Sequence, residues 1–567
     1  MEPNSGEKVP AEQESYVLRG YGIGSGTAVA PVRHMAPPLP EPTSAPLIGS
    51  PVQAWGRVKE ASAAAASALR EAAADFDGET QEILLAAAMM AQDPVVLEDA
   101  KTRIFQGSNP ERAVHDAYAT FRKMLASLGG VHADRAADLG DVSQRIRAYL
   151  TGVPVPGVPQ SKTPFILVAK DLAPADTATL NFDTVKALVT EEGGPTGHTA
   201  ILARSKGLPA VIGCPHALEI PEGTTALVEA RYGRVVVGAS GQEMDEAFDR
   251  ARDRAEHLAS VRGPGRLKDG TCVELLANLG TVQEAVAAVE ADAQGVGLLR
   301  TEFLFLESVE PPSREHQAAA YRRLLEMFAG KKVVVRLLDA GADKPLPYLA
   351  GPAERNPALG VRGYRSLRSH SEILITQLAA LADASQGCTA DLWVMAPMIT
   401  DAGEAAEFVQ AGHEVGLRTV GVMAEIPSIA LMAEQVVAVS DFISVGTNDL
   451  TQYSLAADRT LASVAGYQDP WHPAVLRLTQ MLGQASQDAG KPLGVCGEAA
   501  ACPDLAVVMV GLGATSLSMA PDALAEVRMT LAGVTLEQCR EAAHAACSAT
   551  SAWHARKAAL KVLRAEG

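Results

Sequence analysis

Basic charge is what this chain has too little of: 49 Lys and Arg stand against 67 Asp and Glu, a formal net charge of −18 over 567 residues. That balance argues against nucleic-acid binding through a general electrostatic field, because phosphate backbones need a basic face, and it suits a basic protein partner. Aromatic residues are scarce, at 4%, and Ala and Val fill much of the interior instead. No run of about 18 strongly apolar residues occurs. The N-terminal MEPNSGEKVPAEQES is polar rather than a basic region followed by an apolar stretch. Neither a membrane span nor a secretory leader is therefore expected, and the reading is cytoplasmic. Cysteines 214, 272, 388, 496, 502, 539 and 547 lack CxxC or CxxH spacing, which leaves zinc and dithiol chemistry without support and fits free thiols in a reducing compartment.

What is present is a long chain with changing periodicity. Its length implies roughly three to four folding units. Residues 16–33, YVLRGYGIGSGTAVAPVR, read as a short strand pair around a Gly-rich turn, and PPLPEP breaks the chain after it. From Ala54 to about Leu150 apolar residues recur at three and four in Ala-rich sequence, the pattern of a helical bundle inserted into another domain. FILVAKD, VKALVTEE, GGPTGHTAILARSKGLPAVIG and TTALVEARYGRVVVG then alternate as a compact α/β domain. A charged amphipathic helix from about Asp245 to Leu258 and the turn-rich GPGRLKDG read as an interdomain linker, with hinging easiest near Gly263 to Gly270. Beyond Thr271 come eight apolar strand candidates: VELLANL, GVGLLR, VVVRLLD, LWVMAPM, VGVMAE, FISVGT, PLGVCGE and SLSMA. Eight such units point to a (β/α)₈ barrel, with an open doubly wound sheet as the alternative.

Polar residues stand at the ends of five of these strands: Arg300, Arg336, Glu425, Asn448 with Asp449, and Cys496. Barrel enzymes carry their catalytic groups at such strand ends. Arg300, Arg336, Arg362 and Arg459 can form forks to phosphate and carboxylate oxygens. Glu425 and Asp449 are hard oxygen ligands suited to a Mg²⁺ that takes its remaining ligands from water and a substrate phosphate. Together they suit a phosphorylated carboxylic acid. Structural salt bridges are the other explanation for such groups, and Arg368 is read as one.

In GGPTGHTAILAR, small residues lead into His198, after which the sequence turns helical and stops at Gly207 and Pro209. His198 would occupy the first helical turn, where free backbone N–H groups and the helix dipole favour an anion. A neutral imidazole is a nucleophile toward phosphorus near pH 7. From the loop alone, a structural and a functional histidine are equally compatible with the sequence.

GLLRTEFLF, NPALGVRGYR, SVGTNDLTQYSLAADR and GVCGEAA resemble enzyme I of the phosphoenolpyruvate:sugar phosphotransferase system and also its dikinase and synthase relatives. GIGSGTAVAPV, AAAMMAQDP, RAADLGDV and VAKDLAPADTATL resemble enzyme I more narrowly. The resemblance implies an α/β multidomain fold. A swivelling α/β phosphohistidine domain (1–35 and 146–240) carries an inserted helical domain (36–145) that docks the phosphocarrier HPr. A helical linker and hinge (241–270) and a C-terminal (β/α)₈ TIM-type barrel (271–567) follow. It implies a phosphotransferase that moves phosphate from phosphoenolpyruvate to His198 and then to HPr, as the first step of sugar uptake, in a homodimer formed through the barrel. Arg300, Arg336, Arg459 and Asn448 would bind phosphoenolpyruvate, Glu425 and Asp449 would hold Mg²⁺, Cys496 would be the acid, and Thr177 would orient His198. No Walker-type lysine loop occurs, which argues against ATP as the donor. Pro195, Gly197 and Ala87 depart from the family pattern, with expected effects on rate and partner choice. Two rivals stand beside this reading: a nitrogen-branch regulatory phosphotransferase, and a non-catalytic sensor of phosphoenolpyruvate.

Overall fold

The computed structural model describes residues 15–73, 79–128, 131–159, 161–172, 180–193, 198–306, 310–341, 346–349, 354, 356–458, 464 and 467–564. The chain divides into two compact units, Met1–Ala251 and Arg252–Gly567. Among the described residues no helix is long and apolar enough to cross a membrane.

The first unit is built on an eight-stranded sheet whose segments come from both sides of a helical insertion. Its strands are β1 (Tyr16–Arg19), β2 (Tyr21–Ile23), β3 (Thr27–His34), β4 (Phe165–Ala169), β5 (Val185–Thr190), β6 (Ala210–Ile212), β7 (Thr225–Glu229) and β8 (Arg234–Val237). They lie in the order β1-β8-β7-β3-β4-β5-β6-β2. The centre, β3-β4-β5-β6, is parallel and the flanks are antiparallel. β4 is buried along its whole length, as a central strand covered on both faces requires, and this explains its unbroken apolar run FILVA. The N-terminal region thus forms three strands rather than the expected pair, because Gly20 leaves only one residue between β1 and β2 and each joins a different sheet edge.

The insertion is a set of helices, Pro51–Ala73, Glu79–Ala91, Pro94–Phe105, Pro110–Leu128 and Val131–Thr151. Their common core includes Val58, Ala65, Ala66, Val96, Ile104, Val114, Tyr118 and Ile146, where alanines let the helix backbones approach. Asp93 starts the third helix by accepting the N–H groups of Val95 at 2.8 Å and Val96 at 3.2 Å, with Pro94 at the first helical position, both standard starting devices.

The second unit is a closed, all-parallel barrel of β9 (Glu274–Leu279), β10 (Gly295–Leu299), β11 (Lys332–Arg336), β12 (Asp391–Ala396), β13 (Thr419–Ala424), β14 (Ile443–Gly446), β15 (Leu493–Cys496) and β16 (Ser516–Met519). Closure by pairing of β16 with β9 decides against the open sheet. Leu298, Val334, Met395, Met423 and Phe442 fill the interior as a cluster separate from the larger core between strands and helices. The middle of the interior is largely apolar, and the polar residues of interest gather toward its ends.

The segment from Gly263 to Gly270 is fastened within this second unit. The Gly263 N–H donates to Asp292 Oδ2 at 2.7 Å, the Gly265 N–H to Gln294 Oε1 at 2.8 Å and the Lys268 N–H to the Val534 carbonyl at 2.8 Å, while Leu267 is buried in the main core. Its turn residues shape the entry to the barrel, so easy hinging there, expected from composition, is opposed by these bonds.

Candidate active site

The C-terminal ends of the barrel strands surround a cavity of about 170 Å³ lined by Leu298, Arg300, Arg336, Asp339, Met423, Glu425, Gly446, Thr447, Asn448, Asp449, Cys496 and Gly497. Each side chain singled out at a strand end therefore opens onto one space. Arg300 follows β10, Arg336 closes β11, Glu425 follows β13, Asn448 and Asp449 begin the helix Thr447–Leu455 after β14, and Cys496 closes β15. Parallel strands in one register bring these distant positions to one end.

Buried acids hold the guanidinium groups in place. Arg336 pairs with Glu302 and, at 3.2 Å, with Asp339. Burial pulls the Arg336 pKa down, but Glu302 and Asp339 outweigh it and the net shift is upward, so the group stays charged. Its Nε is buried without a hydrogen-bond partner among the described residues, a donor that a ligand oxygen can satisfy. Arg362 bridges Asp339 at 2.8 Å and Asp449 at 3.0 Å. It is not part of the cavity lining itself, but it fixes two carboxylates that are. Arg300 is exposed, and among the described residues no acid pairs with it. Arg368 lies on the surface, 2.9 Å from Glu407.

Glu425 is buried, and burial first and Asp449 second push its carboxyl up to about 8. Its Oε2 accepts the N–H of Met398 at 2.9 Å, and Met398 takes a positive φ of 58° to point that N–H inward, a conformation rare outside glycine. Gly446 makes room for the same carboxylate: a Cβ there would fall 2.7 Å from Glu425 Cγ. Among the described residues no group of three or more His, Cys, Asp or Glu is arranged to hold a metal by itself. Two mutually repelling carboxylates at the mouth nevertheless fit a Mg²⁺ that completes its shell with water and substrate oxygens.

Cys496 is 2% exposed. Its Sγ donates to the Val445 carbonyl at 3.4 Å and lies 3.8 Å from Ser444 Oγ. Burial, then Glu425, pushes the thiol up to about 11, so it is protonated at neutral pH. Asn448 Oδ1 accepts the Glu498 N–H at 3.2 Å, and Thr447 Oγ1 donates to the Cys496 carbonyl at 2.9 Å, locking the β14 and β15 loops together.

In the first unit a helix runs from His198 to Ser205, with His198 as its first residue. Thr199 is buried, and its Oγ1 donates to Asp171 Oδ1 at 3.0 Å, tying the helix start to the end of β4. Arg459, Thr177, Pro195 and Gly197 lie outside the described residues. Ala87 is half-buried in the second helix of the insertion. Sequence reasoning missed Glu302 and Asp339. Each stands two or three residues beyond a selected arginine, in RTE and RLLD, and that acid-beside-arginine spacing at a strand end was the available signal.

Three family models match the chain: the N-terminal region of PEP-utilising enzymes over residues 19–135, their mobile domain over 161–233 and their PEP-binding domain over 254–536. The chain is similar to a phosphoenolpyruvate-protein phosphotransferase of Streptomyces coelicolor, with 50% identity over 552 residues, covering 97% of this chain and 99% of that protein. Its likeness to the Bacillus subtilis protein of the same name is 35% over 544 residues, covering 92% and 95%. A multiphosphoryl transfer protein of Rhodobacter capsulatus is 39% identical over 480 residues, and the match spans 82% of this chain but 57% of that longer protein.

Proposed function

The chain belongs to the phosphoenolpyruvate-protein phosphotransferase family, and from that premise we propose that it takes the phosphoryl group of phosphoenolpyruvate onto His198 and passes it to the carrier HPr, releasing pyruvate. The observation that carries the reading is the cavity at the barrel mouth, where Arg300, Arg336, Asn448, Glu425, Asp449 and Cys496 converge. Arg300 and Arg336 bind the phosphate and carboxylate of the substrate, with Asn448 and, from outside the described residues, Arg459 completing the contacts. Arg362 acts by holding Asp449 and Asp339. Glu425 and Asp449 would hold Mg²⁺, which when bound would offset the negative charge of the substrate phosphate. The Cys496 thiol, kept protonated by burial, gives its proton to the methylene carbon of the enolate.

His198, at the start of a helix, receives the phosphoryl group where backbone N–H groups favour an anion, with Thr177 orienting the ring. The phosphohistidine domain (1–35 and 146–240) swivels, carrying His198 between the barrel mouth and the carrier docked on the inserted helical domain (36–145). The bonds that fasten Gly263–Gly270 support a pivot outside that segment. The insertion docks HPr: Leu85 and Met89, one helical turn apart, are 42% and 72% exposed, an apolar face available to a partner. The net charge of −18 suits a basic carrier. The protein works in the cytoplasm as a homodimer through its barrel, in the branch that drives sugar uptake. A monomer at all concentrations by sedimentation would remove the dimer.

Labelled phosphoenolpyruvate with Mg²⁺ tests the function. Acid-labile label on the wild type, absent from His198→Ala and chased onto HPr, is the expected result. Ligand binding without any phosphoprotein would instead favour a sensor. Cross-linking the phosphohistidine domain to the barrel should block transfer to the carrier; undiminished transfer would refute the swivel.

A further inference from the structure

The barrel has a second, smaller cavity at its other end. It measures about 20 Å³ and is lined in part by Lys332, Ser444, Gly494, Ser516 and Ser518. Lys332 is the first residue of β11, which identifies this as the end where the strands begin. A space of that size holds about one water, provided polar groups face it. They do so: a Cβ on Gly494 would lie 3.1 Å from Ser516 Oγ and 3.8 Å from Ser444 Oγ, so both hydroxyls converge on the volume that glycine leaves open. Between this space and the active-site cavity lies the apolar plug of Leu298, Val334, Met395, Met423 and Phe442.

Ser444 links the two. It sits on β14, is 4% exposed and lines the lower cavity, yet its Oγ reaches Cys496 Sγ at 3.8 Å, and Cys496 lines the upper one. The thiol is thus approached from inside the barrel, on the side away from the substrate.

We propose that Ser444 is a positioning residue that returns a proton to Cys496 after each turnover, drawing it from water in the lower cavity. The proposal rests on the reading of Cys496 as the acid that protonates the enolate. In that step the S–H bond breaks and a C–H bond forms at the methylene carbon, leaving pyruvate above a thiolate. The Ser444 hydroxyl gives its proton to sulfur and takes one from the lower water, which is replenished from solvent. One solvent proton is consumed per pyruvate, and no redox partner is needed. Burial disfavours the thiolate, so a hydroxyl already in contact with sulfur shortens the life of an unstable state.

The test runs the phosphoryl exchange in D₂O with Mg²⁺, phosphoenolpyruvate and carbon-labelled pyruvate. It compares carbon exchange with deuterium entry into the pyruvate methyl group. In the reverse step Cys496 takes a proton from pyruvate; if it cannot trade that proton with solvent, the next enolate receives it back. The wild type should gain about one deuterium per carbon exchanged, whereas in Ser444→Ala that ratio should fall roughly tenfold whatever the absolute carbon rate. Gly494→Ala keeps the hydroxyl but fills the space beside it, and should lower the same ratio, so the test survives if Ser444→Ala fails to fold. A ratio unchanged in both variants, including one where both labels slow in parallel, overturns the proposal. Cys496→Ala separates the underlying reading: loss of both exchanges is expected, and retention of both would remove Cys496 as the acid and the relay with it.

Discussion

The two units of this protein treat buried charge in opposite ways. In the sheet unit, the buried acid Glu229 at the end of β7 is held by Arg234 and, at 3.3 Å, by Arg250. Both arginines are substantially exposed, at 31% and 45%. At the barrel mouth, Glu302, Arg336, Asp339, Arg362, Glu425 and Asp449 are all buried within one network. In the sheet unit His198 stands at a helix start, where backbone N–H groups rather than buried ions are available to an anion. The barrel must bind a small, highly charged substrate, and desolvated charges are what make such a site selective and strained at once.

The sharpest break of that comparison is Arg336→Ala, which leaves Glu302 and Asp339 buried without their shared cation. It should cost about 3–5 kcal/mol of barrel stability in chemical denaturation and abolish phosphoenolpyruvate binding. A cost as small as that of a surface pair would show that the mouth is more solvated than its burial suggests.

Glu425→Gln should act in the other direction on stability while abolishing turnover. Burial and the neighbouring Asp449 push the native carboxyl up to about 8, above its ordinary 4.5. The stabilisation linked to its protonated form is complete below the unfolded value and is lost as pH rises through the folded one. Metal-free Glu425→Gln should therefore match the wild type in acid and exceed it by a few kcal/mol above pH 8, since each pKa unit is worth about 1.4 kcal/mol. Thermal melts across that range measure the difference, and equal melting at alkaline pH would contradict it.

The smallest effect belongs to the sheet unit. Arg234→Ala removes one of two cations from Glu229, and Arg250 remains, so the loss should be about 1 kcal/mol with phosphorylation of His198 unchanged. A loss as large as that of Arg336→Ala would erase the contrast.

Much of this was legible in sequence. The eight apolar runs each became a barrel strand because parallel strands buried on both faces leave an unbroken apolar signature. Arg300, Arg336, Glu425, Asn448, Asp449 and Cys496 were recognisable because polar residues at strand ends are exceptions to that signature. Glu302 and Asp339 were missed because neither ends a strand, and their role depends on Arg336 being buried between them. Arg362 carried the right residue type for a phosphate contact, and in the structure it is engaged by Asp339 and Asp449, which line the cavity. The turn-rich GPGRLKDG had the composition of a hinge, but its backbone donors are bound within the barrel unit.

Local periodicity and residue chemistry were enough for the element types, the strand count of the barrel, the helix start at His198 and the candidate residues at the mouth. Tertiary structure decided that the barrel closes, which arginines face the cavity and which brace carboxylates, and that Ser444 touches Cys496 from below. These depend on contacts between residues far apart in the chain: Ser444 and Cys496 lie 52 positions apart, Arg362 and Asp449 lie 87 apart, and no local pattern encodes such distances.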